Sequence, residues 1–214
     1  PFDIDVCRKD SWNDPYFYEG VSRSWTYNVQ ADFAGLVARC GGELGFERHL
    51  DRYFADKKII AKETFMHIPY LYHYANRPDK SSKMVRKVLS KAYKPERFGI
   101  PDNEDMGCHS AFYICGLIGI YPMMGQDWYF LVAPAFERSV IRLGESGLEL
   151  VIEAEGASGE KCYIESATLN GEALDRAWIR HEEIKSGAVL SVSLSSSATN
   201  WGQNNPPPSP LANQ

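Results

Sequence analysis

Three groups of carboxylates stand beside glycine, aromatic or basic residues: Tyr18-Glu19-Gly20, Lys62-Glu63 and Asn103-Glu104-Asp105. Acids placed in loops that flank apolar helices suit proton transfer. One carboxyl kept protonated can give a proton, and one kept ionised can take one from water. The third group directly precedes an apolar run. Its acids therefore stand at a helix N-terminus, where unpaired N–H groups and the helix dipole stabilise negative charge. The same placement equally suits a structural cap. With 28 acids in the chain, pairs of carboxylates alone select no function.

The elements that must hold these acids can be read from the apolar spacing. The first twenty residues, with Trp12, Pro15, Tyr16, Phe17 and Tyr18, form an irregular aromatic approach. Helical periodicity begins at Ala31, where Phe33, Leu36 and Val37 share a face, and Gly41-Gly42 end that helix. Phe46, Leu50, Tyr53 and Phe54 form a second stripe. A third helix is expected from Phe65 to Tyr74, stopped by Pro78. A fourth is expected from Ser81 to Ala92, with Ser81 or Ser82 as N-cap and Met84, Val85, Val88 and Leu89 inward. After a Pro- and acid-rich loop comes an apolar helix, Met106 to Ile118, expected to be buried on most sides.

Beyond Pro122 the period changes to two. Trp128–Val132, Ser139–Leu143, Leu148–Glu153, Cys162–Leu169 and Val189–Leu194 read as strands, with Asn170-Gly171 as a tight turn. Gln203 to Gln214, which holds Pro206-Pro207-Pro208, reads as an extended tail. The expected class is α+β: antiparallel helix pairs over 1–122, a small antiparallel β region over 123–202, and a Pro-rich tail over 203–214.

Composition excludes several classes. The chain has 214 residues, 44% of them hydrophobic, and a net charge of −5. A fold with a large core follows, and no basic excess exists to neutralise phosphates, so nucleic acid is not the expected partner. Lys80, Lys83, Arg86, Lys87, Lys91 and Lys94 fit the solvated face of one helix. No apolar run is long enough to span a membrane. The five cysteines, Cys7, Cys40, Cys108, Cys115 and Cys162, form no CxxC pair, and spacing leaves their pairing open. A chain that begins at Pro1 without a signal peptide reads as an excerpt or a processed product.

Taken in order, the acid groups and their flanks resemble glycoside hydrolase family 92. Tyr18-Glu19-Gly20 through Ser24-Trp25-Thr26-Tyr27 to Val29 and Asp32 resembles that family's YxEGxxWxYxWxVPxD segment. Gly35-Leu36, Gly41-Gly42, Phe46 and Leu50-Asp51-Arg52-Tyr53-Phe54 follow with the expected spacing. Glu63 and His67-Ile68-Pro69-Tyr70-Leu71-Tyr72-His73-Tyr74-Ala75 resemble GNEPSHHIxYLYNYA. Pro101-Asp102-Asn103-Glu104-Asp105-Met106-Gly107 and Ser110-Ala111-Phe112-Tyr113 resemble GNDDxGxxSAWY. Pro134 to Glu137, Ser166 to Gly171, Trp178 to His181 and Asn200-Trp201-Gly202 continue the likeness collinearly.

The resemblance implies part of an (α/α)6 barrel that follows an N-terminal β-sandwich domain not contained in these residues. It implies exo-acting α-mannosidase activity with inversion, a glycan substrate, and an extracellular or periplasmic location. By motif position Glu19 is the general acid, Asp105 the general base, and Asn103 a base-assisting residue. Glu63, Trp25 and Glu104 fall where the family meets the sugar, and Glu63 where it holds calcium. Tyr70, Tyr72, Tyr74, Phe112 and Tyr113 are expected in the barrel core, and His73 and His109 as satisfied groups on helix surfaces. The alternative is a binding or structural fragment without turnover. In that reading Glu63 and His67 only pack and cap.

Three departures bear on this. Asn-Glu-Pro-Ser-His has become Lys62-Glu63-Thr64-Phe65-Met66, and a lysine ammonium donates hydrogen bonds but cannot ligate calcium. Arg23 replaces a usual tryptophan. The stretch from Phe54 to Glu63 is short.

Overall fold

Apolar spacing, caps and prolines account for the helical half. In the computed structural model, which describes residues 17–20, 22–55 and 62–211, a short helix α1 (Ser22–Trp25) leads to α2 (Phe33–Arg39). The Asp32 side chain caps α2 by accepting from the Gly35 N–H at 2.8 Å, and Gly41, at φ 88°, lets the chain turn out of it. The helix α3 (Gly42–Ala55) buries Phe46, Leu50, Tyr53 and Phe54, the stripe read from spacing. Trp12, Pro15, Tyr16, Cys7 and most of the short stretch after Phe54 lie outside the described residues.

Two expectations for the next segment are corrected. Glu63–Phe65 and Ile68–Ala75 wind as tight 3-10 turns, and every residue of the second is buried. Close packing on all sides outweighs the poorer hydrogen bonds of that winding. Pro78 opens the next helix rather than stopping the last: α4 runs Pro78–Ala92. A proline fits the first helical position because its missing N–H would have no partner there. Ser81 and Ser82 therefore lie inside α4, not at its cap. Ser81 Oγ donates to the Tyr70 carbonyl at 3.0 Å, and Ser82 Oγ accepts from the Ala133 N–H at 3.1 Å.

The last helix, α5 (Cys108–Ile118), buries only His109, Phe112 and Gly116. Burial on most sides is thus corrected: Tyr113 and Ile114 are exposed, and so is the preceding Met106. Tyr93 meets the Tyr113 ring with centroids 5.1 Å apart and still leaves it exposed. His73 and His109 are likewise not surface groups, at 3% and 0% exposure. Of the basic stripe, Lys83, Lys87, Lys91 and Lys94 are solvated, whereas Arg86 donates to the carbonyls of Ala133 and Pro134.

Strands follow from β1 (Ile120–Pro122) and β2 (Trp128–Leu131), which pair with β7 (Trp178–Arg180) in an antiparallel three-stranded sheet. Alternation along β2 sends Trp128 and Phe130 into the helical core and Leu131 into a second core. That small sheet is the shared wall. A second sheet holds β3 (Arg138–Arg142), β4 (Glu149–Glu153), β8 (Ala188–Ser195), β5 (Tyr163–Leu169) and β6 (Glu172–Leu174) in that order. The β region is not purely antiparallel, because β4 and β8 run parallel. The long chain between them, which carries β5, β6 and β7, supplies the crossover a parallel pair requires. The Pro-rich segment is extended but docked: the Tyr74 hydroxyl donates to the Pro208 carbonyl at 2.8 Å, and Ser209 Oγ accepts from the Ala34 N–H at 3.0 Å.

Candidate active site

The first acid sits on a turn clasped from two sides. Trp25 Nε1 donates to the Tyr18 carbonyl at 3.0 Å, and Trp25 meets Phe65 edge-on, with centroids 5.7 Å apart. Gly20 is pressed into this contact. A Cβ there would lie 2.7 Å from the Phe65 ring, so only glycine fits. Glu19 between them adopts φ 52°, the left-handed region that costs a side-chain-bearing residue on the order of 1–3 kcal/mol.

The second acid sits on a turn of the same kind. Asp105 (φ 51°), Met106 (φ 56°) and Gly107 (φ 89°) are successively left-handed before α5 begins. Of the three, only the glycine adopts that backbone without cost. The turn is fixed on both flanks. Glu104 Oε1 accepts from the Ser110 N–H at 2.9 Å, which caps α5 and holds the Glu104 carboxyl below the usual range. Asp102 accepts from the Asn103 N–H at 2.8 Å and is ion-paired with Lys62. That ammonium is the main reason its carboxyl also lies low.

Between the two turns lies the segment carrying Glu63. Phe65 supports the Glu19 turn, and the next residue, Met66, supports the Asp105 turn through its sulfur, 3.5 Å from Cys108 Sγ. His67, fully buried, is bonded through Nε2 to the Tyr27 carbonyl at 2.8 Å. Burial pushes the Cys108 thiol up, and the charges of Glu63, Asp105 and Glu104 act the same way.

The predicted residues thus divide. Trp25 braces the Glu19 turn and Glu104 caps a helix. Asn103 is exposed. No hydrogen bond or ion pair with a described residue occupies the carboxylates of Glu19, Glu63 or Asp105. Sequence reasoning missed Asp102, Phe65 and Met66. The last two stand at motif departures, where side chains of changed chemistry signalled lost function rather than support. Among the described residues no three His, Cys, Asp or Glu side chains converge to hold a metal ion. The lysine at the motif asparagine position adds a cation where calcium would need an oxygen. An open depression of 690 Å³ lined by Asn28–Asp32, Met124–Gln126 and Leu211 contains none of the three acid groups.

The sequence profile of the glycosyl hydrolase family 92 catalytic domain matches residues 4–196. The chain belongs to that family. An uncharacterized secreted glycosidase of Arthroderma benhamiae is 33% identical over 92% of this chain and 26% of its own length. A family 92 α-mannosidase from Bacteroides thetaiotaomicron superposes with a TM-score of 0.82 at 24% identity, over 92% of this chain and 28% of its own. A family 92 inverting mannosidase from the same species gives 0.78 at 28% identity, over 88% and 29%. The chain therefore spans between a quarter and a third of the length of these relatives.

Proposed function

We propose that this chain is the acid- and base-bearing part of an inverting exo-acting α-mannosidase that removes terminal α-linked mannose from glycans. Glu19 as a carboxylic acid protonates the glycosidic oxygen, which leaves with the bonding electrons as an alcohol. Asp105 as a carboxylate takes a proton from a water that attacks the anomeric carbon from the opposite face. The sugar departs as the β-anomer. Such a pair stands roughly 6.5–9.5 Å apart to leave room for that water. Asn103 assists the base, while Glu63, Trp25 and Glu104 contribute to the sugar subsite.

One observation carries the reading. Two acids at matching motif positions lie on strained left-handed turns, and consecutive residues of one segment, Phe65 and Met66, brace both. Strain held in place by such packing is characteristic of sites where a side chain must be presented rather than satisfied.

The helices fit as part of an (α/α)6 barrel. Exposed Met106, Tyr113 and Ile114 are then the face that further barrel helices or an N-terminal β-sandwich covers. A secreted relative supports an extracellular location. Among the described residues no helix is long and apolar enough to cross a membrane.

The test is proton NMR of 4-nitrophenyl α-mannoside and α-1,2-mannobiose treated with the protein carrying its natural flanking sequence. First appearance of β-mannose is expected. First appearance of α-mannose would overturn inversion, and glycan binding without turnover would favour a binding module instead.

A further inference from the structure

Lys62 stands where the family motif carries an asparagine, and the structure gives its charge a definite place. Its ammonium is ion-paired with Asp102, and both side chains are largely withdrawn from solvent, at 11% and 22% exposure. The two come from different stretches of chain. Lys62 immediately precedes Glu63, and Asp102 lies three residues before Asp105. The charges of Glu63, Asp105 and Glu104 all help to push the Cys108 thiol up.

A positive charge beside a carboxylate favours its ionised form, and loss of that charge lets the carboxylate hold its proton to higher pH. A compact ammonium on a flexible stem can act as that cation. It also opposes entry of a second one, because it occupies a carboxylate and presents only hydrogens.

Taking Glu63 and Asp105 as site residues, as proposed above, we infer that Lys62 is a positioning residue of the site. Its ion pair with Asp102 ties the Glu63 segment to the Asp105 loop. It also places within the chain a positive charge beside the Asp105 loop, where the family motif carries an uncharged asparagine.

The experiment uses the protein with its natural flanking sequence and has two arms. In the first, calcium chloride is titrated calorimetrically into the wild type, and melting temperatures are recorded with calcium and with EDTA. No stoichiometric heat and no shift in melting temperature are expected. Stoichiometric calcium binding, or a melting temperature raised by calcium, overturns the inference. In the second, Lys62→Met and Lys62→Arg are compared with wild type. The methionine variant should lose at least tenfold in kcat/KM, and the acid limb of its pH profile should move to higher pH, since carboxylates without their cation hold protons longer. Lys62→Arg should keep most of the rate and the wild-type limb. A merely structural lysine would leave the limb in place, so an unmoved limb in Lys62→Met overturns the positioning role. If the wild type hydrolyses no α-glycoside, the mannosidase reading fails, and the calcium arm still decides whether a second cation enters beside Lys62.

Discussion

The helical half contains two sets of charged residues built on opposite plans. In the first, Arg77 makes two bonds to Asp79, at 2.8 and 2.7 Å, and one to Glu47 at 2.7 Å. Lys80 reaches Glu47 at 2.8 Å and Asp51 at 2.7 Å, and the Tyr72 hydroxyl donates to Asp51 at 2.9 Å. Every charge is answered, and the cluster ties α3 to α4 and to the 3-10 segment between them. In the second, the carboxylates of Glu19, Glu63 and Asp105 have no partner among the described residues, and two of them ride on left-handed backbone. The same stretch of fold can clearly satisfy its acids. Where it leaves them bare and strains the chain to present them, stability is not what they serve.

The contrast can be broken most directly at the second cluster. Glu19→Gln and Asp105→Asn should each lower kcat/KM about a thousandfold, equivalent to ~4 kcal/mol. Their urea midpoints should stay near wild type. Variants that unfold instead of losing rate would place these acids in the first class.

Acid tests the packing between the clusters. Burial holds His67 and His73 neutral, with their pKa values lowered from 6.5 to about 4. Between those values the unfolded chain binds more protons than the folded one, so stability rises with pH across this window and is lost as pH falls through it. Each histidine should cost up to about 3 kcal/mol by pH 4. Urea unfolding followed by tryptophan fluorescence from pH 7 to pH 4 reads this loss. A flat profile would contradict the burial of both rings.

The smallest expected effect belongs to the satisfied cluster. Asp79→Ala removes a side chain that is 4% exposed and leaves Arg77, 34% exposed, half-answered. A loss of about 2 kcal/mol in the urea-derived stability should follow. The same variant should leave kcat/KM unchanged, and a large loss of rate would erase the distinction between the clusters.

Much of this was legible residue by residue. The stripe of Phe46, Leu50, Tyr53 and Phe54, and five strands near their observed places, follow from period alone, because a buried face repeats in register with its element. The resemblance to family 92 rested on motifs spread over nearly the whole chain, and the family match covers the same stretch. Pro78 was misread because a proline bars helix on one side and favours it on the other. The exposed face of α5 was misread because an apolar run does not say which neighbour is present to cover it. His73 and His109 were placed outside because imidazole is soluble by habit. Inside, His73 is answered by Tyr70, Ser81 and Leu131, and His109 by Tyr93.

Local chemistry, then, settled the buried stripe of α3, five of the strands, where acids precede a helix, and which family the order of motifs belongs to, since these depend on neighbours along the chain. Only the tertiary structure decided which acids are used up. Glu104 is spent on the Ser110 N–H and Asp102 on Lys62, while Phe65 and Met66 brace the turns of Glu19 and Asp105. Apart from the local Glu104 cap, those outcomes depend on contacts between residues far apart in sequence, and no spacing encodes them.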